Sequence, residues 1–122
     1  MKWIFGTVLS LSAFTTMAAT LTQAEFDQQL AVYTKVINDT KPILEGENSN
    51  KDVELQKQAF CQRLSAYHAI ADLAQQNPSL QQAYLMGVIA HRYLDRQKQS
   101  MSSAGMTEQY FCGDLLKMHS SE

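Results

Sequence analysis

Strand signals are missing from this chain. No run of alternating β-branched residues occurs and no Asn-Gly pair marks a hairpin, so a sheet-based fold is not expected. Also missing are a glycine-rich phosphate loop, an H-E-x-x-H helix and a Ser-His-Asp spacing. With those routes to catalysis absent, the chain is not expected to be an enzyme. Basic residues are few: ten Lys and Arg stand against twelve Asp and Glu, a net charge of −2. Nucleic-acid binding needs clustered basic residues to displace counterions, so that class of partner is excluded. After the first twenty residues no segment is apolar enough to cross a bilayer. Cysteine is scarce too, with only Cys61 and Cys112.

What the first residues do contain, "MKWIFGTVLSLSAFTTMAAT", is a positive start at Lys2, an apolar run from Trp3 to Phe14, and then small residues. That is the pattern of a secretory signal peptide, and the apolar run is short for a membrane span. Thr16 with Ala18, and Thr22 with Ala24, both place small residues where the signal peptidase reads them. The leader is therefore assigned to 1–18, with a cut as late as Ala24 also open. No cysteine lies near either cut, so no lipid anchor, and no other stable membrane anchor, is expected. Losing Lys2 leaves nine basic against twelve acidic residues, a net −3.

The remaining chain, 25–122, reads as a single helical domain. In "TQAE", Thr22 and Glu25 form a capping box, and Phe26, Leu30, Tyr33 and Ile37 recur on one helical face. Pro42 is expected to end or kink this helix. "EGENSNKD" at 45–52 reads as a polar linker. A second helix is expected from Asp52 to Gln76, with Phe60, Leu64, Tyr67 and Ala71 as its apolar stripe. A third starts with Asn77 as N-cap and Pro78 in the first turn, carries Leu80, Tyr84 and Val88, and runs towards Gln99. "SMSSAGM" at 100–106 is a loop, after which Thr107 caps a last helix bearing Phe111, Leu115 and Met118. The expected fold is all-α, a small bundle of about four helices. In an oxidising compartment an even pair of cysteines is most simply a disulfide. Cys61–Cys112 would then join the second and last helices and close a loop of about 50 residues, worth roughly 4 kcal/mol on the chain-entropy model.

Two features invite chemistry. His68 and Asp72 are four apart, as are His91 and Asp95, so each pair shares a helix face. In a tight hairpin about Pro78, residue 68 would face 88 and residue 72 would face 84. The two pairs would then be offset, with at most three of the four groups converging, and Arg92 and Arg96 would compete for Asp95. The expectation is therefore half-buried histidines beside helical salt bridges, with no metal and no cofactor. Cys61 lies about 10 Å of helix rise from His68, too far for activation as a nucleophile, so it is read as a staple. The aromatics at helical spacing read as core rather than as a ligand cavity. The stretch from Gln97 to Thr107 has little order signal and two methionines, a side chain that adapts well at contact surfaces. Gln97, Gln99, Met101, Ser102, Ser103 and Met106 are its candidate partner-binding residues.

"CQRLSAY" at 61–67, "HRYLDR" at 91–96 and "YFCGDLLKMH" at 110–119 resemble the immunity proteins that protect bacteria against type VI secretion amidases. The similarity is one of spacing and covers roughly the last 60 residues. It implies a periplasmic, non-enzymatic protein that binds and inhibits a secreted, peptidoglycan-cleaving cysteine amidase. It further implies a homodimer, and a loop that reaches into the effector's cleft, which falls here on Gln97 to Thr107. An alternative from another class is an envelope stress chaperone, or a carrier of small apolar ligands, built on a helical bundle.

Overall fold

The computed structural model describes residues 20–46 and 52–113. The leader expected at 1–18, most of the 45–52 linker, and Leu115 and Met118 lie outside the described residues. Three long helices, α1 (Gln23–Leu44), α2 (Val53–Gln76) and α3 (Ala83–Ser103), are followed by a short helical segment, α4, at 108–113. No strand occurs among the described residues.

α1 begins as the sequence dictates. The Thr22 hydroxyl accepts the Glu25 amide at 3.2 Å, and the Glu25 carboxylate accepts the Thr22 amide at 3.2 Å. These reciprocal bonds satisfy two donors that a helix start otherwise leaves open. Phe26, Leu30 and Ile37 are buried on one face with Thr40, and Tyr33 is half-buried beside them. Pro42 does not end the helix where expected. It sits in the last turn, which closes two residues later, with Glu45 donating its amide to Lys41. The missing amide leaves the Asn38 carbonyl without its usual helical donor, but Asn38 is exposed to water and only two residues of helix follow the proline.

α2 starts close to where expected, and Asp52 caps it by accepting the Leu55 amide at 3.0 Å. Its burial is wider than one stripe. Ala59, Cys61, Leu64, Ala66, Ile70, Ala71, Leu73 and Ala74 are all buried, because α1 and α3 both pack on it and α4 is bonded to it. A helix covered from several sides needs apolar or small residues around most of its circumference.

The α2–α3 connection departs from expectation. Asn77 does not cap α3; it ends α2, and its side chain is committed elsewhere. The Leu21 amide donates to Asn77 Oδ1 at 3.0 Å, and Asn77 Nδ2 donates to the Leu73 carbonyl at 2.9 Å. With the cap so occupied, the chain turns through 78–82, Gln82 takes a left-handed conformation with φ of 67°, and α3 starts only at Ala83. Gln23 and Gln81 close the same corner, Gln81 donating its amide to Gln23 Oε1 at 2.9 Å.

The face of α3 also differs. Ala83 and Ala90 are buried and Met86, Tyr93 and Leu94 partly so, while Tyr84, Leu85 and Ile89 are exposed. A Cβ built on Gly87 would lie 3.2 Å from that of Ala74, so small residues set the α2–α3 seam by letting the backbones approach. At the far end, α3 runs through "SMSS" to Ser103, and the expected loop shrinks to a turn. Gly105, at φ of +70°, makes that turn, and Met106 donates its amide to Met101 at 2.8 Å. Thr107 then caps α4 as expected, accepting the Tyr110 amide at 3.1 Å. The Cys61–Cys112 disulfide joins α2 to α4, with 5.7 Å between the α-carbons.

Candidate functional site

The histidine–aspartate pairs come together differently from the hairpin expectation. Tyr67 stacks on Tyr93 with ring centroids 3.9 Å apart, and Ala74 meets Gly87. Because 78–82 is a turn rather than the start of a helix, the α2–α3 pairing slips by roughly one helical turn. His91 thereby comes level with His68, Asp72 and Asp95 lie about one turn to either side of that level, and all four side chains line one cavity of about 520 Å³. The offset of His91 from His68 expected from a tight hairpin is absent.

They still do not form a metal centre. Among the described residues no group of three histidine, cysteine or carboxylate side chains is placed to hold a metal ion. His68 instead reaches across to α4, where its Nε2 lies 2.9 Å and 3.0 Å from the two Glu108 oxygens. Among the described residues neither Asp72 nor Asp95 makes an ion pair, so the expected Arg92 and Arg96 partners of Asp95 are not found. His68 and His91 are exposed rather than half-buried.

Cys61 is spent in the disulfide, as is Cys112, and neither is a free thiol. Their cluster contains Leu64 with Phe60, Tyr93, Leu94, Met101 and Phe111 packed around it. Phe60 meets Phe111 edge-on with centroids 5.8 Å apart, and the Lys57 ammonium lies 5.4 Å from the Phe111 ring centre. Burial pushes the Tyr93 phenol above the ordinary tyrosine range, with the Arg63 guanidinium opposing the shift. Arg63 donates its Nε to Thr40 Oγ1 at 2.7 Å and approaches Glu45 at 3.6 Å, while its buried Nη2 has no hydrogen-bond partner among the described residues.

The candidate partner-binding residues are not on a flexible loop. Gln97, Gln99, Met101, Ser102 and Ser103 belong to the last turns of α3, and only Met106 lies in the turn that follows. Met101 is half-buried against the disulfide cluster, Gln97 and Met106 are half-buried, and Gln99, Ser102 and Ser103 are exposed. Met101, Ser102, Met106 and Thr107 share the cavity with His68, Asp72, His91 and Asp95. The structure thus joins two groups of residues that were unrelated in sequence. It does so on a braced corner: the disulfide and the His68–Glu108 pair both hold α4 to α2, and α4 follows α3 through one short turn.

No family model, curated protein or solved structure matches the chain. The functional reading therefore rests on the spacing-level resemblance described above together with residues and geometry. No helix among the described residues is long and apolar enough to cross a membrane.

Proposed function

We propose that this protein is a periplasmic inhibitor of a peptidoglycan-cleaving amidase, contacting its target through the corner between α3 and α4. The observation that carries this reading is the bracing of that corner. Ser102, Ser103 and Met106 stand at or near its tip, and the helices on either side are anchored to α2. A contact element that is already ordered loses little entropy on binding, so rigidity here favours tight recognition over transient contact. Two methionines at the corner supply adaptable apolar contact, and the serines supply hydrogen-bonding groups. The disulfide suits an oxidising compartment outside the cytoplasm. Inhibition needs only that the corner fill the target's cleft, so no residue of this chain takes part in chemistry.

The test is titration of the mature protein into secreted peptidoglycan amidases from the source organism and its relatives. One amidase should lose activity in proportion to added protein, with an end point at a fixed stoichiometry. Met106→Asp and Ser103→Arg should each weaken that inhibition by about tenfold or more while the melting temperature holds, as expected for contact residues outside the core. If no amidase is inhibited, the reading is wrong. If inhibition survives both changes unaltered, the corner is not the contact site.

A further inference from the structure

Among the described residues α4 covers the α2–α3 pair only between His68 and Cys61. From His68 to Pro78 the described residues leave the pair open along an elongated groove, made of two cavities of about 520 Å³ and 450 Å³ that share Ala71, His91 and Asp95. Its lining towards the α2–α3 turn is small and apolar, with Ala71, Ala74, Ala83 and Gly87, and Tyr84 and Val88 rise beside them. Among the described residues nothing covers the Tyr84 side of the groove, that residue being 83% exposed.

We propose that this groove docks an amphipathic helical segment of a protein partner whose lysine or arginine sits between Asp72 and Asp95. Charge argues for the cation. One aspartate comes from each helix, both line the same cavity, and neither has an ion-pair partner among the described residues. His91, Arg92 and Lys98 also line the groove but none stands within ion-pair distance of either aspartate, and His68 is engaged by Glu108. Two carboxylates beside an apolar floor favour an occupant with an apolar face and one positive charge. Architecture argues for the helix. A four-helix bundle covers a helix pair along its length, whereas α4 begins only at 108, beside His68. The occupant would extend the line of α4 over the uncovered half. Gly87 to Asp95 spans roughly 12 Å of helix rise, which sets the segment at about two to three turns. A helix also satisfies its own backbone groups, so it can bury one face in such a groove without unpaired donors.

The inhibitor reading supplies only the identity of the partner, the target amidase; the groove itself stands on its own geometry. Two synthetic helical peptides test it directly. Both carry the same face of alanine and leucine, one has arginine at the central groove-facing position, and the other has glutamate. Binding to the mature protein is read by fluorescence anisotropy, and the site by backbone amide chemical shifts. The arginine peptide should bind about tenfold more tightly than the glutamate peptide, as for one well-placed charge contact. Shifts should centre on Ala71, Ala74, Gly87 and Val88. Asp72→Lys combined with Asp95→Lys should reverse the preference while leaving the melting temperature unchanged, since both side chains are exposed. Absence of binding by either peptide, equal binding of both, or shifts elsewhere would overturn the proposal. So would self-association of the protein through these residues, or their saturation by a fatty acid in place of the peptide. The doubly reversed protein separates the two readings. Undiminished amidase inhibition by it removes the amidase as the groove's occupant and leaves the corner intact. Peptide binding without inhibition of any amidase keeps the groove and removes the inhibitor.

Discussion

The two ends of α2 are held by different means. Its C-terminal half packs on α1 and the first half of α3 through apolar burial, with Phe26, Leu30, Ile37, Ile70, Leu73, Ala83 and Ala90 in one cluster. Its N-terminal half is held to α4 by a covalent bond, an edge-on aromatic pair and the nearby His68–Glu108 contact, around a cluster whose buried members among the described residues are Cys61, Leu64 and Cys112. A domain of about 100 residues buries a limited fraction of its surface, and one cluster of this size leaves little apolar area for a second. The staple replaces burial where burial runs out. It also holds the α3–α4 corner to α2, as the proposed contact role requires.

If that division holds, the ends should fail separately. Phe26→Ala strikes the apolar end, where the ring is fully buried, and should cost about 3–5 kcal/mol. Against a total stability of roughly 5–15 kcal/mol this brings the whole fold close to unfolding, read as a large fall in the urea midpoint. Loss of the disulfide, by reduction or by Cys61→Ala with Cys112→Ala, should cost about 2–4 kcal/mol. Here the expected signature is local: amide exchange in 108–113 rises towards that of unfolded chain while exchange in α1 changes much less. Uniform acceleration in all four helices would show that the two ends are one cooperative unit and end the comparison.

The same division explains what the sequence made legible. The caps at Thr22 and Thr107, the start of α2 near Asp52, the face of α1 and the staple were readable because each is a local signal or a count of two. Large apolar residues mark α1 well, since it packs from one side. They mislead in α3, where Ala83, Gly87 and Ala90 make the seam and Tyr84, Leu85 and Ile89 point outward. Asn77-Pro78 carries a strong helix-start signal, yet Asn77 is claimed by Leu21 from 56 positions away. That contact slips the α2–α3 pairing, and the slip is what gathers His68, Asp72, His91 and Asp95 on one cavity. The candidate groove was therefore illegible for one reason: its register depends on a long-range bond that local patterns do not contain. The stretch proposed for partner binding was read as a loop, whereas "SMSS" continues α3, a helix that tertiary packing already stabilises.

Asn77 lets the apolar end be tested more finely. Asn77→Ala leaves the Leu21 amide and the Leu73 carbonyl without their partner and should cost about 1–3 kcal/mol, less than Phe26→Ala. The same contacts bear on processing. A cut after Ala24 would remove Leu21, the Thr22 cap and Gln23, whereas a cut after Ala18 keeps all three. If the proposed leader is removed, the processed protein should therefore begin at Ala19, as N-terminal sequencing would show; a start at Phe26's neighbour Glu25 would mean that α1 folds without its cap.

The smallest expected effect separates the ends by the direction in which pH reaches them. At the start of α1, bonds from the Thr22 backbone and hydroxyl hold the Glu25 carboxyl below its ordinary range. A depressed carboxyl contributes stability that is present above its unfolded value of about 4.3 and is lost as pH falls through the folded value. At the stapled end burial holds the Tyr93 phenol above its ordinary range. That contribution is full below the unfolded value of about 10 and is lost as pH rises through the folded one. Acid should thus loosen the first turn of α1 before it touches Tyr93, and alkali should loosen the Tyr67–Tyr93 stack before it touches α1. Amide exchange at both sites against pH, with Thr22→Ala and Tyr93→Phe, reads this directly. Thr22→Ala should flatten the acid response alone, and Tyr93→Phe the alkaline response alone. Crossed responses would mean that the two ends communicate through α2 rather than being held independently along it.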